Sequence, residues 1–165
     1  MLSSIGIYAW AFRIPGFRLH HELLLGIYLG IYPACWCAVL GLWRRQSSGV
    51  FLLLAPSSWV ALEFVKNHAG FLAFPWAGLA ESQHACLPLL QLASIGGAAS
   101  VSFILVLFNT ALAESLRDHR RLRPLLTVLP LVLLILAWGS WRLRTTSKSS
   151  PRLRVAVIQP AISLD

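Results

Sequence analysis

The sequence predicts a bilayer-embedded bundle of α-helices, an all-α polytopic transmembrane domain, ending in the first β-strand of a second, α/β domain. Three observations predict it. Of the 165 residues, 57% are hydrophobic and only 12% charged, against about 25% charged in an ordinary soluble domain. The apolar residues run in four long stretches, each close to the roughly 20 residues a helix needs to cross the hydrocarbon core. The basic residues gather between those stretches, where juxtamembrane charge meets anionic headgroups.

The first expected span covers residues 23–43, rich in Leu, Ile, Tyr and Trp, with Pro33 inside it as a kink. Neighbouring helices can re-satisfy a backbone group that proline frees, so a kink does not end a span. The second, residues 49–65, is shorter and holds Pro56, Ser57, Ser58 and Glu63. Residues 89–113 form the third and residues 125–141 the fourth, with Pro130 near its middle. Ahead of them, residues 2–12 are apolar but too short to cross. No positive region precedes that stretch and no small-residue cleavage site follows it, which argues against a signal peptide and for the tail of a longer helix.

Residues 68–88 break the pattern, setting Phe71, Phe74, Pro75 and Trp76 beside Glu81, Gln83 and His84. Amphipathic rings next to polar groups suit the headgroup level, so an interfacial loop is expected there. Sidedness follows from the short loops. Arg44 and Arg45, and then Arg117, Arg120, Arg121 and Arg123, occupy two connections on one side, whereas the intervening loop carries only Lys66. The positive-inside rule makes the two basic connections cytoplasmic, sending the aromatic loop and the C-terminal end outward.

Arg142, Arg144, Lys148, Arg152 and Arg154 run against that orientation, but long translocated domains escape the rule. Residues 142–152 read as a linker between the helical domain, residues 1–141, and a new unit beginning at 153–165. Within that unit, Leu153 to Gln159 is β-branched, apolar and of strand length. A lone strand has no pairing partner, so an α/β domain is expected to continue from it.

The formal charge of +8 invites a nucleic-acid reading, which would need one basic face interleaved with aromatics. The clustering between apolar runs excludes it. His20, His21, His68 and His84 lack the spacing and the Cys or carboxylate neighbours of a metal site, and Cys35, Cys37 and Cys86 lack the paired spacing of zinc ligands. No cofactor is expected.

The ordered motifs Trp59-Val60-Ala61-Leu62-Glu63, Lys66, Gly70 through Phe74-Pro75-Trp76, Ser82-Gln83, Pro88-Leu89-Leu90-Gln91-Leu92-Ala93, Gly96-Gly97, Ser102-Phe103 and Asn109 resemble those of the apolipoprotein N-acyltransferases. Arg154-Val155-Ala156-Val157-Ile158-Gln159-Pro160 resembles the opening of that family's nitrilase-like domain. The resemblance implies transfer of an acyl chain from a phospholipid to an enzyme thiol, then to the amine of the N-terminal diacylglyceryl-cysteine of a lipoprotein, which is covalent catalysis in two steps. It also implies the bacterial inner membrane, several passes and a periplasmic C-terminus. The family's catalytic Glu, Lys and Cys belong to the nitrilase-like domain beyond Asp165, and no residue here inherits them. This chain alone is therefore expected to be inactive, and the family's N-terminal spans are missing or shortened. A non-enzymatic membrane module and a small transporter subunit are the alternatives.

The candidate substrate or lipid-gate residues are Glu63, Lys66, Phe74, Trp76, Gln83, Gln91 and Asn109. Lys66 stands three residues after Glu63, a spacing at which helical side chains meet, and a carboxylate near lipid calls for such a partner. Glu63 is also expected to orient the aromatic loop from beneath. Phe74 and Trp76 either anchor the loop at the interface or gate acyl chains. On one continuous helix, Gln91, Ala98, Ser102 and Asn109 would fall within about 20° of a line, forming either a packing stripe or the wall of a lipid passage.

Overall fold

The computed structural model describes residues 18–43, 45–76, 78–117 and 122–146, together with Ala156. Those residues form helices and their connections, without strands. Four helices are long and apolar enough to cross a membrane: α1 (Leu19–Trp43), α2 (Ser48–His68), α4 (Ala93–Arg117) and α5 (Arg123–Thr146), with a single turn, α3 (Leu87–Leu90), before α4. The strand expected from Leu153 lies outside the described residues, as does most of the linker. The start of that linker differs from expectation, because α5 runs on through Thr146. Thr145 Oγ1 bonds back to the carbonyls of Trp141 at 3.2 Å and Arg142 at 3.0 Å, so the hydroxyl is satisfied within its own helix.

The helices alternate in direction. Tyr28 near the start of α1 bonds to Leu72 just beyond α2, and Trp36 Nε1 donates to the Ala55 carbonyl at 3.0 Å. Ser58 Oγ donates to the same carbonyl at 2.9 Å. Pro56 lacks an N–H and leaves the Leu52 carbonyl without its usual partner. The same stretch of α2 gains Trp36 and Trp59, whose rings meet edge to face at 5.2 Å. Two side chains thus converge on the Ala55 carbonyl, one residue before the proline.

The core forms around α4. Val101, Ile104, Leu107 and Ala111 are buried with Val128 of α5, Leu89 of α3 and Ala80 of the loop. Lipid tails are as apolar as these side chains, so close packing, rather than escape from water, holds the helices together. Among the described residues α1 packs mainly on α2 and presents most of its surface outward.

Two glycine-dependent features shape the loop end of the bundle. α4 is broken at Gly96 and Gly97, the latter at φ 63°, ψ −168°, a region open essentially to glycine alone. From Ala98 to Arg117 the helix is regular and long enough to cross the hydrocarbon by itself. Gly139 of α5 lies against α3: a Cβ there would overlap the Pro88 carbonyl oxygen and stand 2.7 Å from its carbon.

Candidate functional site

The loop from α2 to α4 starts with a reversal. His68 ends α2 with Nδ1 2.8 Å from the Phe64 carbonyl and its ring stacked on Phe64 at 4.1 Å. Gly70, at φ 61°, turns the chain into a 3-10 turn, Gly70–Leu72. The chain then doubles back over the last turns of α2. Phe74 N–H donates to the Lys66 carbonyl at 3.0 Å, Lys66 Nζ donates to the Trp76 carbonyl at 2.8 Å, and Glu63 Oε1 accepts from Leu79 N–H at 2.8 Å. Leu79 opens a second 3-10 turn, Leu79–Gln83, so the carboxylate receives one of the N–H groups that a helical start leaves unpaired.

Lys66 is 7% exposed. A buried ammonium is costly unless hydrogen-bonded and near opposite charge; the Trp76 carbonyl provides the first, and the carboxylates of Glu63 and Glu81 the second. The expected direct pairing of Lys66 with Glu63 is replaced. Among the described residues the ion pair within 4.0 Å is Arg117 with Glu114, at 3.9 Å on the surface. Glu63 and Lys66 instead reach forward to separate points of one loop, because that loop brings an N–H and a carbonyl to them. Both Glu63 and Glu81 place an Oε1 3.7 Å from where a Cβ of Gly78 would stand.

The clamped segment carries aromatic rings. Phe74 and Trp76 stand 6.3 Å apart at 44°, with Phe74 half-buried and Trp76 exposed. Phe71, at the 3-10 turn, is 95% exposed. α1 joins the site through Tyr28, whose hydroxyl donates to the Leu72 carbonyl and lies 2.9 Å from that of Tyr32. Tyr28 was not among the sequence candidates. Its i,i+4 relation to Tyr32 was visible, but nothing local pointed to a carbonyl 44 residues away.

The remaining candidates are engaged in local bonds. Gln83 Nε2 donates to Ser82 Oγ at 3.0 Å, Gln91 Nε2 lies 3.4 Å from the Leu87 carbonyl, and Asn109 Nδ2 donates to the Leu105 carbonyl at 2.8 Å. The expected stripe is not a continuous line. Gln91 precedes α4 altogether, the Gly96-Gly97 break resets the helical phase, and Ser102 is buried while Ala98 and Asn109 are exposed. Asn109 lies about 18 Å along the helix from the break, too far down to reach the loop. Among the described residues no three His, Cys, Asp or Glu side chains gather as a metal site.

The family model described as the apolipoprotein N-acyltransferase N-terminal domain matches residues 5–111, a stretch that holds α1, α2, the clamped loop and most of α4. The chain belongs to the apolipoprotein N-acyltransferase family. It is 35% identical over 146 residues to the apolipoprotein N-acyltransferase of Geobacter metallireducens, an alignment covering 82% of this chain and 27% of that protein. The Shewanella oneidensis protein of the same name is 33% identical over 141 residues, 82% of this chain and 26% of the relative. Apolipoprotein N-acyltransferase 2 of Treponema pallidum is 32% identical over 108 residues, 61% of this chain and 19% of the relative. The chain thus spans about a quarter of the length of the first two. No solved structure matches it.

Membership places the clamp in context. The described part of this N-terminal domain has its most elaborate polar bonding at the loop end of α2, where two charged side chains fix the backbone of the segment that carries Phe74 and Trp76.

Proposed function

We propose that this chain is the membrane portion of an apolipoprotein N-acyltransferase, which transfers an acyl chain from a phospholipid to the N-terminal diacylglyceryl-cysteine of a lipoprotein. The reaction itself passes through a thiol in a nitrilase-like domain, so this chain by itself does not catalyse it and needs no cofactor. Its part is to hold the loop of residues 69–86 at the outer face of the bacterial inner membrane, where Phe74 and Trp76 meet acyl chains as substrates enter sideways. The C-terminal end of α5 lies on the same periplasmic side. The observation that carries this reading is the double clamp, Glu63 on Leu79 N–H and Lys66 on the Trp76 carbonyl.

Sidedness is tested on exposed loop positions. In a background lacking Cys86, Ala85→Cys reacts with a membrane-impermeant maleimide in intact spheroplasts, and Gln46→Cys reacts only after lysis. The reverse pattern overturns the orientation. The role in transfer is tested by assaying the intact enzyme with Lys66→Met: loss of acylation at unchanged protein level supports the reading, and full activity removes it.

A further inference from the structure

At the loop end of α5, Arg142 is a half-buried cation held by neutral groups alone among the described residues. Its Nη1 donates to Ser94 Oγ, and its guanidinium lies 5.3 Å from the centroid of the Trp138 ring. No carboxylate stands within 4.0 Å of it among the described residues, where the ion pair is Arg117 with Glu114. Ser94 in turn donates to the Gln91 carbonyl at 2.7 Å, tying the pair to the segment between α3 and the break in α4. Arg142 is therefore fixed from two sides, by its own helix and by a segment remote in sequence, and most of its five donors have no partner among the described residues.

Its height in the membrane is marked by Trp138 and by Trp141, which is 61% exposed; tryptophans of this kind sit at the headgroup level. A guanidinium held over an indole and oriented by a hydroxyl keeps further donors in a fork that matches phosphate oxygens bidentately. A cation partly withdrawn from water and lacking a counter-ion favours an anion there.

We propose that Arg142, with Ser94 and Trp138, forms a binding site for the headgroup phosphate of an anionic phospholipid in the leaflet facing the loop. The bound lipid ties the end of α5 to the segment that precedes the broken helix. This site stands apart from the Lys66 clamp and rests on membrane insertion, not on acyl transfer, so its test needs no activity.

The purified full chain in neutral detergent is titrated with phosphatidylglycerol or phosphatidylcholine, and bound lipid is counted by native mass spectrometry. The expected result is one phosphatidylglycerol held about tenfold more tightly than phosphatidylcholine, the effect of a single charge-assisted contact. Arg142→Gln abolishes the preference. Arg142→Lys, which keeps the charge but loses the fork and most of the stacking, lowers it about threefold. Arg144→Gln, altering an exposed cation two residues on, leaves it unchanged. An intact preference in both Arg142 variants overturns the site, an equal loss in Arg144→Gln shows diffuse surface charge instead, and displacement of the lipid by equimolar inorganic phosphate shows a free-anion site rather than a headgroup site.

Discussion

The ammonium of Lys66 donates to the main-chain carbonyl of Trp76, so the loop is anchored by its backbone at that point while the indole is turned outward and 54% exposed. Anchor and ring are therefore separable by substitution. Trp76→Ala keeps the carbonyl and its bond to Lys66. In the intact enzyme it is expected to lower acyl transfer while protein level and thermal unfolding stay near wild type. Lys66→Met removes the bond itself, and hydrogen bonds to charged groups contribute about 1.5–3 kcal/mol. That variant is expected to lose roughly tenfold or more in activity, with faster protease cleavage in residues 73–79. If Trp76→Ala instead lost protein and activity in equal measure, the ring would be an anchor.

Glu63 offers a finer distinction. Gln at this position still presents an acceptor to Leu79 N–H, but without the charge that makes such bonds about twice as strong. Glu63→Gln should therefore lower acyl transfer modestly, whereas Glu63→Leu leaves a donor unsatisfied at a cost of about 1–3 kcal/mol and lowers it much further. Acylation rates for the two variants check the order. Identical, unimpaired rates would show that Glu63 does not orient the loop.

Gly139 and Pro88 set the distance between α5 and α3. The added methyl of Gly139→Ala meets backbone, which cannot swing aside as a side chain can, and overpacking of this kind typically costs about 1–3 kcal/mol. At Gly30 and Gly41 of α1 an added Cβ would meet nothing within 4 Å, and alanine there recovers helix propensity. Thermal unfolding in detergent should place Gly139→Ala well below wild type and Gly30→Ala at or slightly above it. A Gly139→Ala protein as stable as wild type would mean that α3 and α5 are not in contact.

Much of the architecture was legible because lipid imposes a single rule, an apolar helix long enough to cross, and residues 23–43 and 125–141 lie within α1 and α5, which each run a few residues further. The loop was legible from its composition, since Phe74, Pro75 and Trp76 beside polar residues fit neither a span nor a soluble core. What could not be read was pairing at a distance. The spacing of Glu63 and Lys66 on α2 pointed to each other, and the loop's own N–H and carbonyl groups, invisible in a sequence, took both. The stripe through Gln91 and Asn109 failed for a local reason that was present in the sequence: Gly96-Gly97 lies between them, and two adjacent glycines are where a helix can break.

Gly97 carries the last prediction. Its φ of 63° with ψ of −168° is a conformation that a side chain enters only with strain of about 1–3 kcal/mol. Space is not the obstacle, since a Cβ at Gly97 would meet nothing within 4 Å. Gly97→Ala therefore acts through backbone conformation alone, and it favours a straight helix through residues 93–100. Straightening rotates Ser94 relative to Ala98 and pulls it from Arg142, so the variant should unfold at lower temperature and also alter the environment of Trp138, read as a shift in tryptophan emission. Gly97→Asn should unfold about as early as Gly97→Ala, because asparagine's tolerance of positive φ belongs to the left-handed helical region at ψ of about +30 to +60°, far from the −168° of Gly97; a Gly97→Ala protein as stable as wild type would show that the break is not held by the conformation of Gly97.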